Sequence, residues 1–346
     1  MSFATSPIKV SIIGDLFMRA QTFAEALMSH GAGRFDIVVH ENEWPVAPFD
    51  QPRDGIKEYQ GRDEQTIEQI GDAEILILHM APLTRAVFER CPNLKLIGIS
   101  RAGIVNIDLR AARDHGVQIV NAPGRNASAV AEFTIGAILA QTRLFTIGHT
   151  SLSQGEWRGD LYRADRTGQE LSQMSVGLIG YGAIGPRVAR LLVPFGPRIM
   201  FDDPYVEQTD EDRALGIEKC DFKTLLASCD VVSMHPRVTD ETRGMMNAQA
   251  FAMMKPGSYF INTARGPLMD EFALADALKS GHLAGAAIDT FDPEPPDPDH
   301  PLFALSNITL TPHIAGASVY VSTFAAQVIA ADIGNFVDGR ALNNPM

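Results

Sequence analysis

The sequence is poor in positive charge. In 346 residues, 29 Lys and Arg stand against 42 Asp and Glu, which gives a net charge of -13. The basic residues form no cluster that could offset this excess locally. A nucleic acid or an anionic membrane surface is therefore disfavoured as a partner. An anionic substrate would have to be held by a few individual cations.

Cysteine is also scarce. The chain has three cysteines, which are Cys91, Cys220 and Cys229. Their number is odd, no two are close in sequence, and their spacing is not that of metal ligands. This usage predicts a reducing compartment, the cytoplasm, and no metal site. The first ten residues lack a basic segment followed by an apolar run, so we expect no signal peptide.

No uninterrupted apolar run is long enough to suggest a membrane span. The segment 301–331 lacks Asp, Glu, Lys and Arg, and its length alone would raise the question. Polar or helix-breaking residues interrupt it at Asn307, Thr309, Thr311, Pro312, His313, Gly316 and Ser318. A stretch that is neutral and yet polar predicts burial around a site, and no membrane partner.

Short apolar runs recur along the chain, with helix-like segments between them. We predict strands at 9–14, 35–40, 74–79, 94–100 and 117–122, and again at 175–180, 198–203, 229–235, 257–264, 283–291 and 307–313. Val/Ile/Leu-rich runs that alternate with helices are typical of parallel sheets covered on both faces. At about 150 residues per domain, the length fits two domains. The sequence therefore predicts two doubly wound α/β domains.

Several longer segments complete this outline. The pattern predicts helices over 127–145 and 317–338, and loops over 41–63 and 148–172. Periodicity leaves open whether the last helix closes the second domain or returns to the first. In the loop after the first of these helices, Tyr162 and Arg163 either reach a partner subunit or are solvated.

The most informative local motif is G-x-G-x-x-G, formed by Gly180, Gly182 and Gly185 with Ala183 and Ile184 between them. It follows a predicted strand and opens a predicted helix, which is the context that a dinucleotide-binding turn requires. The glycines allow a tight turn and the close approach of a pyrophosphate to the helix N-terminus. The alternative, an unrelated glycine turn, lacks the acid described next.

An acidic residue stands where the fingerprint places the ribose-binding carboxylate. Asp202 lies about 20 residues after the first glycine, at the end of the next predicted strand. A carboxylate there accepts hydrogen bonds from ribose hydroxyls and repels a 2′-phosphate. Because no Lys or Arg follows closely, the sequence predicts NAD as the cofactor in preference to NADP.

Three later strands are followed by an arginine, a glutamate and a histidine. Arg265, Glu294 and His313 follow the predicted strands at 257–264, 283–291 and 307–313. Ligands of open α/β sheets bind beyond the carboxyl ends of the strands, so these three side chains could converge beside the cofactor.

These segments resemble the D-isomer-specific 2-hydroxyacid dehydrogenase family, which includes 3-phosphoglycerate dehydrogenase, glyoxylate/hydroxypyruvate reductase and D-lactate dehydrogenase. The resemblance runs over roughly 94–320 and is carried in order by LKLIGISRAG, NAPGRNASAVAEFTIG, GLIGYGAIG, CDVVSMHPRVTDETRGMMN, FINTARGPLMDEFAL, AAIDTFDPEP and TPHIAGAS. It implies a flavodoxin-like substrate domain, 1–122 plus 317–346, into which a Rossmann NAD domain, 123–316, is inserted.

The resemblance also implies roles for single residues. Arg265 would bind the substrate carboxylate and polarise the keto oxygen, because a guanidinium grips carboxylate oxygens in two places. His313 would be the general acid/base, since histidine titrates near neutral pH. Glu294 would orient His313 and favour its charged form. For Arg265 the alternative is a surface charge, and for Glu294 a loop acid.

Further positions are expected around the cofactor and the substrate. Asp289 would fix the nicotinamide carboxamide. The remaining cofactor positions line the ring pocket or border the groove: His235, Pro236, Thr263, Ala264 and Gly316. His235 alternatively packs there without taking part in chemistry. The substrate loop would contribute Arg101, Ala102 and Gly103.

The chain departs from the family pattern in this substrate loop. Residues 100–108 are about two residues shorter than the common form R-x-G-x-G-x-D-N-x-D and lack one glycine and one acid. Because loop amides normally hold the substrate carboxylate, the preferred acid stays open. Arg101 either binds a second anionic group or is structural. With Met346 soon after His313, we expect no appended regulatory domain.

The sequence leaves three functional hypotheses. The first is an NAD-dependent enzyme that interconverts a small D-2-hydroxy acid and its 2-keto acid. The others are an NADP-preferring glyoxylate/hydroxypyruvate reductase and a non-catalytic, NAD-sensing scaffold like the corepressors that share this fold. We also expect a homodimer built on 127–145, whose apolar face carries Val130, Phe133, Ala137 and Ile138.

Overall fold

The computed structural model describes residues 6–31, 33–44 and 49–346. The first five residues, on which the expectation of no signal peptide partly rests, and 45–48 of the predicted loop 41–63 lie outside this range. The chain divides into two compact units. Unit 1 is Met1–Arg125 with Ala317–Met346, and unit 2 is Asn126–Gly316. The predicted division after residue 122 falls just before this boundary.

Unit 1 contains a five-stranded parallel sheet. Its strands are β1 (Ile8–Asp15), β2 (Phe35–Asn42), β3 (Ile75–Leu78), β4 (Leu96–Ile99) and β5 (Gln118–Asn121). They lie in the order β2-β1-β3-β4-β5, which is the flavodoxin-like order. Its first four helices are α1 (Ala20–Met28), α2 (Asp63–Ile70), α3 (Arg85–Arg90) and α4 (Leu109–Asp114). The central strands β3 and β4 are buried throughout, as continuous apolar runs require.

The last helix, α12 (Val319–Val337), belongs to unit 1 and packs on α1, β4 and β5. Gly98 in β4 permits this close approach, because a Cβ there would lie 2.5 Å from Cγ2 of Ile329 in α12. After the helix, Met346 N–H donates to the carbonyl of Ile119 at 3.0 Å, which joins the tail to β5.

Unit 2 contains a seven-stranded parallel sheet. Its strands are β6 (Ser175–Ile179), β7 (Arg198–Asp202), β8 (Ile217–Lys219), β9 (Val231–Met234), β10 (Ser258–Asn262), β11 (Leu283–Ile288) and β12 (Ile308–Leu310). Their order is β12-β11-β10-β9-β6-β7-β8, the Rossmann order extended by one strand. Its helices are α5 (Ala127–Thr142), α6 (Phe145–Ser153), α7 (Gly185–Leu192), α8 (Asp210–Ala214), α9 (Phe222–Ser228), α10 (Ala248–Met253) and α11 (Glu271–Lys279). The predicted fold class, two doubly wound α/β domains, is confirmed.

The single helix predicted over 127–145 is wrong. The chain bends by 68° between α5 and α6, because Leu144 takes a left-handed conformation (φ 60°) that cannot continue a right-handed helix. Thr309 of β12 accepts a hydrogen bond from Gln141 at 2.6 Å and lies 2.5 Å from the hydroxyl of Thr146, so it ties both sides of the bend. The loop predicted over 148–172 is likewise wrong at its start, which belongs to α6.

The face proposed for a dimer is partly wrong as well. Val130, Ala137 and Ile138 are buried inside unit 2, and the last two belong to its core. Phe133 lines an open apolar groove of about 210 Å³, together with residues such as Gly136 and Ala140.

Cys91, Cys220 and Cys229 are free thiols. Within the described ranges no helix on its own is long and apolar enough to cross a membrane. The bent pair α5 and α6 passes that test on length and composition alone. In the same ranges, no group of three or more His, Cys, Asp or Glu side chains could hold a metal ion.

Candidate active site

The turn between β6 and α7 has the geometry of a dinucleotide-binding turn. Gly180 has φ +86°, and a Cβ on it would lie 2.6 Å from the nitrogen of Pro236. A Cβ on Gly185 would lie 2.4 Å from the carbonyl oxygen of Gly180, so this glycine allows the helix to pack on the strand. A Cβ on Gly182 would meet nothing within 4 Å, which leaves room for a pyrophosphate at the N-terminus of α7.

The two acids at the end of β7 differ in their partners. Asp203 accepts hydrogen bonds from Tyr181 N–H at 2.7 Å and Tyr205 N–H at 2.9 Å, so it fixes the glycine turn. Asp202 meets the turn only through its backbone, whose carbonyl accepts from Gly180 N–H at 2.8 Å. Burial raises its pKa, and the neighbouring Asp203 and Asp221 add to the rise. The two acids thus differ: the carboxylate of Asp203 holds the turn, and that of Asp202 does not.

Sequence reasoning did not assign a role to Asp203. The doubled acid at the end of the strand was the visible signal, but sequence alone does not say which carboxylate turns back to the glycine loop.

His235 and Pro236 follow β9 and pack directly beneath the glycine turn. His235 is partly buried, and this burial lowers its pKa to about 3, so the imidazole is neutral. Its Nε2 lies 3.1 Å from the hydroxyl of Ser233, and its Nδ1 is buried with no partner among the described residues. A polar atom left open in this way fits a site completed by a ligand.

Thr263 and Ala264 follow β10 and are buried. The hydroxyl of Thr263 lies 2.8 Å from that of Thr134 in α5. Ala264 N–H donates to the side chain of Asn262 at 3.0 Å, and Asn262 in turn donates to the carbonyl of Arg265 at 2.9 Å. Asn262 therefore fixes the backbone on both sides of the predicted ring pocket.

Asp289, at the end of β11, holds the loop that carries His313. Its Oδ1 accepts from the hydroxyl of Thr311 at 2.6 Å and from Ile314 N–H at 2.9 Å, and its Oδ2 accepts from Ala315 N–H at 2.8 Å. Burial nevertheless raises its pKa. With one bond to Oδ2, the carboxylate keeps room for one further donor.

Gly316 ends this loop. A Cβ on it would lie 2.6 Å from the amide nitrogen of Asn126, at the start of α5. The close approach leaves no space for a larger residue, so the loop after β12 is seated directly on the chain entering unit 2.

His313 and Glu294 form a direct pair. The imidazole Nδ1 lies 2.7 Å from Glu294 Oε2, and the other carboxylate oxygen accepts from Phe291 N–H at 3.0 Å. The side chains are 30% and 22% exposed, so the pair is open to solvent at one side. His313 has a left-handed backbone (φ 56°), held by its N–H bond of 2.8 Å to the carbonyl of Asp289. Since Nδ1 faces Glu294, Nε2 is the nitrogen left to exchange a proton.

Arg265 lies exposed after β10, with one guanidinium nitrogen donating to the carbonyl of Ala264 at 2.7 Å. The next residue, Gly266, packs on the segment that carries Glu294, because a Cβ there would lie 2.1 Å from the carbonyl carbon of Phe291. The neighbouring parallel strands β10, β11 and β12 end at one edge of the sheet. The structure thus brings the predicted segments of Arg265, Glu294 and His313 together.

The predicted substrate loop lies in unit 1. The guanidinium of Arg101 contacts the carboxylate of Glu58 and donates to the Glu58 carbonyl at 2.8 Å, and its side chain is only 11% exposed. Ala102 and Gly103 are exposed, and the carbonyl of Ala102 accepts from Asn121 at 2.8 Å. These contacts favour the structural alternative for Arg101. They also show that part of the stretch 41–63 braces this loop.

Comparisons with known proteins give one family. Residues 135–315 match the NAD binding domain of the D-isomer specific 2-hydroxyacid dehydrogenases. Among relatives, the D-3-phosphoglycerate dehydrogenase of Archaeoglobus fulgidus is 36% identical over 81% of this chain, which spans about half (53%) of that protein. The glyoxylate reductase of Thermofilum pendens is 35% identical over 86% of this chain and 84% of its own length.

A solved structure agrees with these relatives. That of D-2-hydroxyisocaproate dehydrogenase is similar over 98% of this chain and 99% of its own, with a TM-score of 0.82 and 25% identity. The family resemblance expected from the sequence is confirmed. This chain belongs to the D-isomer specific 2-hydroxyacid dehydrogenase family.

Proposed function

We propose that this protein is an NAD-dependent oxidoreductase that interconverts a small D-2-hydroxy acid and its 2-keto acid. The observation that carries the proposal is the His313–Glu294 pair, half-open to solvent, at the sheet edge that also holds Arg265. An acid/base and a fixed cation are what this reaction requires beyond the cofactor. The nicotinamide supplies or accepts the hydride at the substrate C2.

His313 moves the proton. In reduction its Nε2 donates to the 2-oxygen, and in oxidation it takes the hydroxyl proton back. Glu294, 2.7 Å from Nδ1, holds the ring in one orientation and stabilises the imidazolium. Its second oxygen is fixed by Phe291 N–H, so the carboxylate cannot turn away from the ring without losing that bond.

Arg265 binds the substrate. Its planar guanidinium can grip the carboxylate and also face the 2-oxygen, where negative charge develops during reduction. Its exposure leaves the guanidinium accessible to a ligand. In unit 1, Arg101 braces the loop of Ala102 and Gly103 by donating to the carbonyl of Glu58.

The cofactor would be held by unit 2. Gly180, Gly182, Ala183, Ile184 and Gly185 would receive the pyrophosphate, and Asp202 the adenosine ribose. The ring end would be lined by His235, Pro236, Thr263, Ala264, Asp289 and Gly316. The open space at Gly182 and the unpaired Nδ1 of His235 fit a bound dinucleotide.

A panel of 2-keto and 2-hydroxy acids, assayed with NAD(H) and NADP(H) by nicotinamide absorbance, tests the proposal. We expect turnover of at least one short acid, with a higher kcat/KM for NAD(H). A higher value with NADP(H) would favour the glyoxylate/hydroxypyruvate reductase alternative. Tight NADH binding without turnover of any acid would favour the scaffold.

We also propose a homodimer formed through the α5–α6 region of unit 2. The groove beside Phe133 is apolar, and the chain that follows exposes Phe145, Leu152, Trp157 and Tyr162 to extents of 58 to 94%. So much exposed apolar surface in one region is typical of an interface. Sedimentation at micromolar concentration should give the mass of two chains, and a monomer there would refute the dimer.

A further inference from the structure

A second histidine–carboxylate pair lies in unit 2, outside the residues assigned above. Glu271, the first residue of α11, is 7% exposed, and its Oε2 lies 2.8 Å from Nε2 of His300. Its Oε1 accepts a hydrogen bond of 2.9 Å from Asp292 N–H. Both oxygens of this buried carboxylate are therefore committed to the loop region that follows β11.

Asp292 lies in the short segment 291–294, which also carries Glu294. Two hydrogen bonds hold this segment. Phe291 N–H donates to Glu294, and the next N–H in the chain, that of Asp292, donates to Glu271. On the opposite side, Gly266 is pressed against the peptide between Phe291 and Asp292, with a notional Cβ 2.7 Å from Asp292 N. The two peptides that flank Phe291 thus donate to two different carboxylates, the first to Glu294 and the second to Glu271.

We infer that Glu271 is a positioning residue, which fixes the 291–294 segment through Asp292 N–H and so holds Glu294 against His313. His300 contributes by its contact with the carboxylate of Glu271, which limits the orientations that this carboxylate can take. This inference rests on the proposed function, in which Glu294 orients the acid/base. The competing possibility is that Glu271 only stabilises the start of α11.

The surroundings of His300 show how the pair is held. Its ring lies between Phe272, Phe291 and Phe303, with centroids 5.6 to 6.2 Å away. Its Nδ1 accepts from Leu302 N–H at 3.4 Å, which leaves the proton of a neutral ring on Nε2, 2.8 Å from Glu271 Oε2.

Protonation of Glu271 would disturb this arrangement. Burial raises the pKa of Glu271 to about 7, and the negative charges of Asp292, Glu294 and Asp270 add to the rise, while Asp292 N–H opposes it. Burial also lowers the pKa of His300. Below about pH 7 the carboxyl gains a proton, so Asp292 N–H donates to a neutral acceptor in place of a charged one. Anchoring by Glu271 should therefore weaken only modestly on the acid side of neutrality, as it should in Glu271→Gln.

A double-mutant cycle tests whether Glu271 acts through Glu294. Glu271→Ala removes the acceptor of Asp292 N–H and should lower kcat by about tenfold, with little change in NADH affinity. In the Glu294→Gln background the same change should cost less than about twofold, because the group being positioned is already gone. Equal losses of kcat in both backgrounds would overturn the inference.

Two further variants separate positioning from folding. Glu271→Gln keeps an acceptor for Asp292 N–H and should retain kcat within about threefold above pH 7.5. A loss equal to that of Glu271→Ala would contradict the role of this bond. Asp230→Ala is the matched control: its carboxylate also holds a backbone N–H, that of Ser175 at 2.8 Å, at the start of β6 and far along the sheet from these strand ends. It should lower Tm and leave kcat unchanged.

A readout without turnover keeps the inference testable if the proposed function fails. In protein with ¹⁵N-labelled histidine, the His313 ring signals are assigned by their loss in His313→Ala. We expect Glu271→Ala to shift the Nδ1 signal toward that of an unpaired imidazole, and Asp230→Ala to leave it unmoved. An unchanged His313 signal in Glu271→Ala would overturn the inference whatever the enzyme reduces. Absence of turnover in the wild type would count against the proposed function alone.

Discussion

Each of the two sheets ends in a histidine–carboxylate pair, and the two pairs differ in access. In unit 1, His79 Nδ1 lies 2.6 Å from Asp15 Oδ2, with side chains 5% and 2% exposed. In unit 2, His313 Nδ1 lies 2.7 Å from Glu294 Oε2, with side chains 30% and 22% exposed. Distance does not distinguish a structural pair from a chemical one, but burial and the remaining partners do.

The unit 1 pair is enclosed by local structure. Asp15 also accepts from Phe17 N–H at 2.9 Å and Met18 N–H at 2.7 Å, and the ring of Trp44 stacks on His79 at 6.0 Å. Burial lowers the pKa of His79 to about 4, although Asp15 opposes the shift. A buried histidine that stays neutral in this way is suited to a structural role.

Two arginines at strand ends show the same contrast. The Arg101 side chain is 11% exposed and bound to Glu58, whereas Arg265 is exposed and donates to the neighbouring carbonyl of Ala264. A guanidinium already engaged by a carboxylate has less to offer a substrate. The accessible cation and the accessible histidine occur in the same unit, which is where the proposed chemistry lies.

The largest expected effect is on turnover, at His313. His313→Ala removes the proposed acid/base and should lower kcat by about 10²–10⁴-fold while NADH binding stays nearly intact. Steady-state kinetics and NADH fluorescence titration measure the two quantities. Unchanged kcat would mean that the proton comes from another group, and the distinction between the two histidine pairs would fail.

Arg265 should show the next largest effect. Arg265→Lys keeps the charge but loses the planar fork, so KM for the acid should rise and kcat should fall. The expected loss in kcat/KM is at least about tenfold, or about 1.4 kcal/mol in the transition state. Wild-type kinetics with a lowered Tm would instead make Arg265 a structural residue like Arg101.

The adjacent acids after β7 allow a sharper comparison. Asp202→Ala removes the charge that would repel a 2′-phosphate, so the ratio of kcat/KM for NAD over NADP should fall by about tenfold. Asp203→Ala loses the bond to Tyr181 N–H and should weaken both cofactors together. An unchanged ratio in Asp202→Ala would remove it as the discriminating residue.

Much of this architecture follows from sequence patterns because it is repetitive. Every strand predicted in unit 1 is present, because each contains an apolar run, including β2, which lies unburied at the sheet edge. The strand β8 was missed because only the first of its three residues, Ile217, is apolar, so no apolar run marks it. The bend at Leu144 was missed because it depends on Thr309, far along the chain, which periodicity does not register.

The site was partly predictable for a similar reason. Arg265, Glu294 and His313 follow strands in recognisable motifs, and parallel strands place their ends at one edge. The pairs His79–Asp15, Arg101–Glu58 and Glu271–His300 join distant segments without a motif. Tertiary contacts decide which polar residues are engaged in structural bonds. Arg101 could therefore be proposed as a ligand from the sequence, but its contact with Glu58 could not be predicted.

The smallest effect expected concerns stability, at His79. Its pKa in the folded state, about 4, lies below the ordinary histidine value of 6.5, so between these values the unfolded chain binds more protons than the folded one. The histidine therefore favours the folded state fully above about pH 6.5, and this contribution is lost as the pH falls toward 4. The nearby charges of Arg101 and Arg125 act in the same direction as burial.

His79→Gln keeps a donor for Asp15 but does not titrate. At about pH 7.5 the variant should be less stable by about 1 kcal/mol, through imperfect packing and hydrogen bonding. At about pH 5 the difference should shrink, because the wild type alone loses stability on acidification. Urea unfolding at both pH values measures this. If the variant is less stable than the wild type by the same amount at both pH values, His79 does not cause the acid sensitivity of unit 1. The His79–Asp15 pair would then differ from the His313–Glu294 pair in exposure alone.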